Sequence, residues 1–167
     1  MNRTLSPHRA LLSGALVLAS LGCSRSGSTR TNAFTEDDRE AVVDQTLVLA
    51  FVHPIPGLSL LLRQNPPIVL SNENIGDAPR DVLGFSIGMM TPAAIQQRAD
   101  QTQQPFLFLR FRPVEVIDGD TVLVHLDNIW VIPIGQTIGV LSGGGITVRY
   151  TRSASGWVGE IVGDWAA

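Results

Sequence analysis

Four residues of this 167-residue chain have the types and spacing to do polar chemistry together: Arg110, Arg112, His125 and Asp127. Each pair is two residues apart, so on a strand its members share one face. A carboxylate beside a histidine can orient it as a general base, and two arginines can hold a carboxylate or a phosphate in a bidentate grip. Asp118-Gly119 lies between the two pairs and reads as a two-residue hairpin turn. Counting back from that turn sets Arg110 opposite Asp127 and Arg112 opposite His125. The plainer alternative is a solvated sheet face stitched by cross-strand pairs, and this is the simpler expectation.

Other motifs weaken on inspection. Gly143-Gly144-Gly145 lacks the Lys-Ser/Thr and the following helix of a phosphate loop. On a strand, these glycines would leave room for the Trp165 indole on a neighbouring strand. Asp118-Gly119-Asp120 resembles the start of a calcium loop, but Val122 and Val124 occupy the positions where ligands should follow. His8, His53 and His125 are far apart, and the single cysteine, Cys23, adds no zinc spacing. His53 fits the negative end of a helix. No nucleophile motif appears, and neither a metal nor a cofactor is called for.

Seven elements would position the four residues. Thr35, with Asp38 three residues on, predicts a capped helix over 36–52, ended by Pro54 and Pro56. Residues 47–52 are apolar on all sides, which fits a buried helix or a strand. Ile68-Val69-Leu70 is a short strand, and Thr91-Pro92 opens a second helix over 91–100. Residues 71–90 read as a long loop. Four strands follow at 105–117, 121–131, 140–151 and 156–165. A second turn at 153–156 sets Arg149 opposite Glu160 and Val148 opposite Ile161. Both hairpins then have one charged and one apolar face, as in a sheet covered on one side. The expected fold is α+β: helix, short strand, second helix, then a four-stranded antiparallel meander with the helices on one face.

Composition sets the broad class. The chain is 44% hydrophobic and 16% charged, with a formal net charge of −3. This is the profile of a folded domain and not of a disordered one. Every basic residue is arginine, and none stands beside another, so there is no electrostatic footprint for nucleic acid.

Residues 1–22 carry Arg3 and Arg9 ahead of an apolar run over 10–22, too short to span a bilayer. Ala19-Ser20-Leu21-Gly22-Cys23 resembles the lipobox of bacterial lipoproteins, although Ser20 stands where an apolar residue is usual. That resemblance implies cleavage before Cys23, lipidation of its thiol and a lipid-anchored cell-envelope location. Ser24, in place of a retention aspartate, points by the same analogy to the outer membrane facing the periplasm in a Gram-negative cell. Two or three acyl chains anchor stably where one would not. Cleavage would remove Arg3 and Arg9, taking the net charge from −3 to −5, and no second cysteine exists for a disulfide. Residues 23–34 read as a flexible tether and 35–167 as a single domain.

The order of elements and the closing Gly-Trp-Val strand resemble the NTF2-like, cystatin-type superfamily, whose members pack a helix into a curved sheet. Many of these bind small molecules, and a few catalyse proton transfer with an Asp/His pair. Three expectations follow. The first is a lipid-anchored envelope protein whose domain binds an envelope protein or component without catalysis. The second is a small-molecule binder or enzyme using the Arg110/Arg112/His125/Asp127 face. The third is a periplasmic inhibitor or immunity lipoprotein.

Overall fold

A computed structural model describes residues 33–53, 68–77, 80–137 and 143–166. The expected leader, Cys23 and the expected tether up to residue 32 lie outside the described residues. The described ones belong to one compact unit, Thr31–Ala167.

Helix α1 (Glu36–Val52) forms where the capping signals put it. The Thr35 hydroxyl accepts from the Asp38 N–H at 3.2 Å, and the Asp38 carboxylate accepts from the Thr35 N–H at 2.9 Å. The strands are β1 (Ile68–Ser71), β2 (Arg80–Val82), β3 (Phe85–Met90), β4 (Phe106–Phe111), β5 (Glu115–Val116), β6 (Thr121–Val131), β7 (Gly144–Ser153) and β8 (Gly156–Ala166). A second helix, α2 (Pro92–Thr102), lies between β3 and β4, with Thr91 as its cap.

The expected α+β meander is not what forms. The fold is mostly β: one curled, mixed, eight-stranded sheet in the order β2-β3-β1-β4-β6-β7-β8, with β5 on β6. Much of the difference comes from residues 71–90, which hold two strands in place of a loop. Leu83 and Gly84 both take positive φ, 52° and 81°, and close the β2–β3 hairpin between Val82 and Phe85. Such a turn matches the twist of the flanking strands. β1 then runs parallel to both β3 and β4. The connection β3–α2–β4 therefore crosses over β1, as parallel strands require.

The helices also lie on opposite faces, not on one. Leu70, Leu107, Leu109, Leu126 and Val148 join Val43 and Leu47 of α1 in the larger core. Val69, Phe108 and Val131 point the other way and meet Ile95 and Ala99 of α2. Both edge strands, β2 and β8, touch α1. The sheet thus curls around α1 as a half-barrel, while α2 covers part of its outside.

Two register details shape the site. The first hairpin turns through three residues, 118–120, with the Ile117 N–H bonded to the Thr121 carbonyl at 3.0 Å. The expected two-residue turn is absent. Residues 112–114 nevertheless oppose only 124–125, and this bulge, which contains Pro113, restores the pairing of Arg110 with Asp127. In the second hairpin Arg149 pairs with Glu160 and Val148 with Ile161. A bulge at Val162 then shifts Ile146 onto Asp164, where Gly163 was expected.

Candidate functional site

The four polar residues do share a face, the outer one, on the opposite side of the sheet from α1. Arg110 leaves β4 and Asp127 leaves β6 at a paired position. Arg112 follows just past the end of β4, its N–H bonded to the His125 carbonyl at 3.1 Å.

Asp127 is the centre. Only 1% of it is exposed, in a sheet whose other buried side chains are mostly apolar. Arg112 donates to it from Nε at 2.9 Å and from Nη2 at 3.1 Å. The Arg110 guanidinium stands at 3.6 Å, and the Trp165 indole N–H donates at 3.3 Å. The hydrogen bond and the charge of Asp127 push the Arg112 pKa up, against a smaller opposing effect of burial. The carboxylate that two arginines could have gripped in a ligand is therefore the chain's own.

His125 turns elsewhere. Its Nδ1 meets the Thr147 hydroxyl at 2.9 Å, and its Nε2 is 4.0 Å from the Glu115 carboxylate. The expected arrangement of a base oriented by Asp127 does not form. The lone pairs of Asp127 are aimed at Arg112 and Trp165, and the histidine is held by the neighbouring strand.

Trp165 reaches Asp127 because Gly145 faces it across the β7–β8 pair. A Cβ at Gly145 would meet the indole nitrogen, and would lie 2.9 Å from the Asp127 carboxylate. Within the glycine triplet it is thus Gly145 that makes room for tryptophan, as the strand reading predicts. Asp118-Gly119-Asp120 is a turn closed by the Asp120 N–H on the Asp118 carboxylate at 2.8 Å.

A second polar cluster lies on the α1 side, and sequence reasoning saw only half of it. Asp38, read as a capping partner, also accepts from Arg152 Nη2 and from the Trp157 indole, both at 2.8 Å. Burial pushes its pKa up, but these bonds and those from Thr35 outweigh that and hold it well below the usual carboxylate range. Arg152 also stacks over the Trp157 ring, 4.4 Å from its centroid. The cluster ties the start of α1 to the start of β8.

The feature the sequence did not reveal as a site is the groove beside these ties. Between α1 and β8 lies a cavity of about 460 Å³ lined by Asp44, Gln45, Val48, Leu49, Trp157 and Val158, with Gly159 in its wall. Its lining is mostly apolar. Gly159 leaves room for the Tyr150 ring beneath, since a Cβ there would sit 2.5 Å from it. The sequence did carry one signal: a helix apolar on all sides that does not bury every face must show one. Val52 is 69% exposed and Val48 is exposed too. A smaller cavity of about 310 Å³ lies beside α2, between Arg110, Glu73 and Phe108, on the outer face.

Among the described residues, no group of His, Cys, Asp and Glu is placed to hold a metal ion. No helix among them is long and apolar enough to cross a membrane. Comparison with protein-family models, with curated proteins and with solved structures finds no match to this chain.

Proposed function

We propose that this is a lipid-anchored cell-envelope protein whose folded domain binds a partner and carries out no catalysis. The leader and the Ala19-Ser20-Leu21-Gly22-Cys23 segment support the anchor: the thiol of Cys23 takes the lipid, and the polar residues after it act as the tether. The observation that carries the binding half is the use made of Asp127. This carboxylate is nearest in type to a catalytic group, yet its oxygens are spent on Arg112, Arg110 and Trp165, and His125 is bonded to Thr147. A general base needs an available lone pair within reach of a substrate proton. The one carboxylate that lines the open apolar groove beside β8, Asp44, is paired with Arg80, and the groove suits recognition.

Fractionation of cells expressing the full chain tests the anchor. The protein should sediment with membranes and incorporate labelled fatty acid, and Cys23→Ala should abolish the label and leave an unprocessed leader. Equal labelling of the wild type and the variant overturns the anchoring. For the domain, His125→Ala should leave its partner binding intact, whereas loss of a turnover activity in that variant would overturn the non-catalytic reading.

A further inference from the structure

We infer that the groove between α1 and β8 takes an extended peptide with alternating apolar and basic side chains, which adds to the sheet as a strand beside β8. This rests on the reading of the domain as a binding module and names the partner's chemistry.

β8 is an edge. It is 11 residues long, and among the described residues it pairs with β7 alone. One side of its backbone is therefore a row of donors and acceptors open to another strand. Natural edges are often closed by proline, by bulges, by charges or by shortness. β8 has no proline, is among the longest strands of the sheet, and pairs with β7 without interruption over 156–161, ahead of the bulge at Val162. Its outward residues include Val158, 58% exposed, and Val162. A strand added here would lay alternate side chains into the groove, over Gly159 and against Val48 and Leu49, the usual arrangement in strand addition. Backbone bonds would supply affinity and the groove specificity.

Charge selects the occupant. α1 and β8 together hold seven carboxylates and one arginine, Arg39, although the whole chain is only −3. Asp44 pairs with Arg80, Glu36 with Arg39 and Asp38 with Arg152, so the charge open to a basic strand is that of Asp37 and Glu40 on the helix and of Glu160 and Asp164 on β8, all exposed. A second copy would bring its own Glu160 and Asp164 to the same edge, which adds like charge there and is unfavourable. A basic strand finds opposite charges on both walls. The same carboxylates deter pairing with acidic or purely apolar strands, so they act as the selectivity element.

The test uses the full chain in detergent micelles and a fluorescent peptide of alternating valine and arginine. Binding is read by anisotropy, and its place by amide chemical shifts of the labelled protein. Shifts should concentrate on β8 and the exposed side of α1. Glutamate in place of the peptide's arginines, or Val48→Arg with Val158→Arg in the protein, should each weaken binding about tenfold or more. Both valines are exposed, so the double variant should keep the wild-type circular dichroism; shift mapping on the unsubstituted chain decides the matter if it does not. Shifts confined to the Arg110–Thr147 face overturn the groove assignment while leaving a binding domain in place. Absence of shifts at millimolar peptide, or dimers formed through β8 without peptide, overturns it too.

Discussion

Replacing Asp127 with asparagine separates a structural carboxylate from a catalytic one. The substitution keeps the shape but removes the charge that Arg112 grips at 2.9 and 3.1 Å and that Arg110 approaches at 3.6 Å. A hydrogen bond to a charged group is worth about 1.5–3 kcal/mol. Arg112 is 51% exposed and Arg110 39%, so water screens both, and the low end of that range applies to each bond. Asparagine would also turn an amide N–H₂ toward donors or leave one lone pair less for Trp165. The expected loss is about 2–3 kcal/mol, a fall in melting temperature of about 10 °C for a chain of this size. Circular dichroism melts and urea unfolding followed by tryptophan fluorescence measure it. His125→Ala is the control: it loses one bond to Thr147, worth about 1 kcal/mol. A variant Asp127→Asn that melts within about 2 °C of the wild type would refute the argument. It would mean that the cluster contributes nothing to folding and that the burial of a carboxylate there needs a functional explanation.

Two titrations probe the α1 side. Tyr150 is the only tyrosine in the chain; burial pushes its pKa up to about 12, partly opposed by its bond to Thr46 at 2.9 Å. The fold favours the neutral phenol, so this contribution is complete below about pH 10 and is lost as pH rises from about 10 to 12, by at most about 3 kcal/mol. Tyrosinate absorbance that rises near pH 10 while the dichroism is still native would contradict it, and Tyr150→Phe should flatten the alkaline limb. Asp38 has the opposite sign: its lowered pKa contributes stability above about pH 4, which fades as pH falls further. Asp38→Asn should lose about 2 kcal/mol at pH 7 and show a shallower decline between pH 5 and 3; parallel curves for the two proteins would disprove the role given to Arg152 and Trp157.

How much of this was legible in the sequence depends on how local each signal is. The α1 cap is a short-range reciprocity between Thr35 and Asp38, and it forms as read. The pairing of Arg110 with Asp127 was also legible, although by two departures that cancel: a longer turn and a bulge at residues 112–114. What failed was non-local. Leu83 is an unusual residue for a positive-φ turn, so the β2–β3 hairpin has no conspicuous turn dipeptide. Phe106-Leu107-Phe108-Leu109 does not alternate apolar with polar, and all of Ile68–Ser71 is buried. Such runs mark strands covered on both faces, and read that way they would have placed the two helices on opposite sides.

The site was legible in composition and misleading in role. The residue types at 110, 112, 125 and 127 suit a catalytic or anion-binding face, but residue types do not reveal where lone pairs point. Arg112 and Trp165 decided that for Asp127, the second from 38 residues downstream and only because Gly145 leaves room for the indole, and Thr147 decided it for His125. Conversely, the groove beside β8 has no motif, since an open edge is a property of strand order and not of strand sequence. Its one trace is the stretch from Leu47 to Val52, too apolar for a helix with a solvent face. In a half-barrel whose two edges reach α1 without meeting, that excess lies on the side that the sheet leaves open, and there it supplies one wall of the groove, with the edge strand as the other.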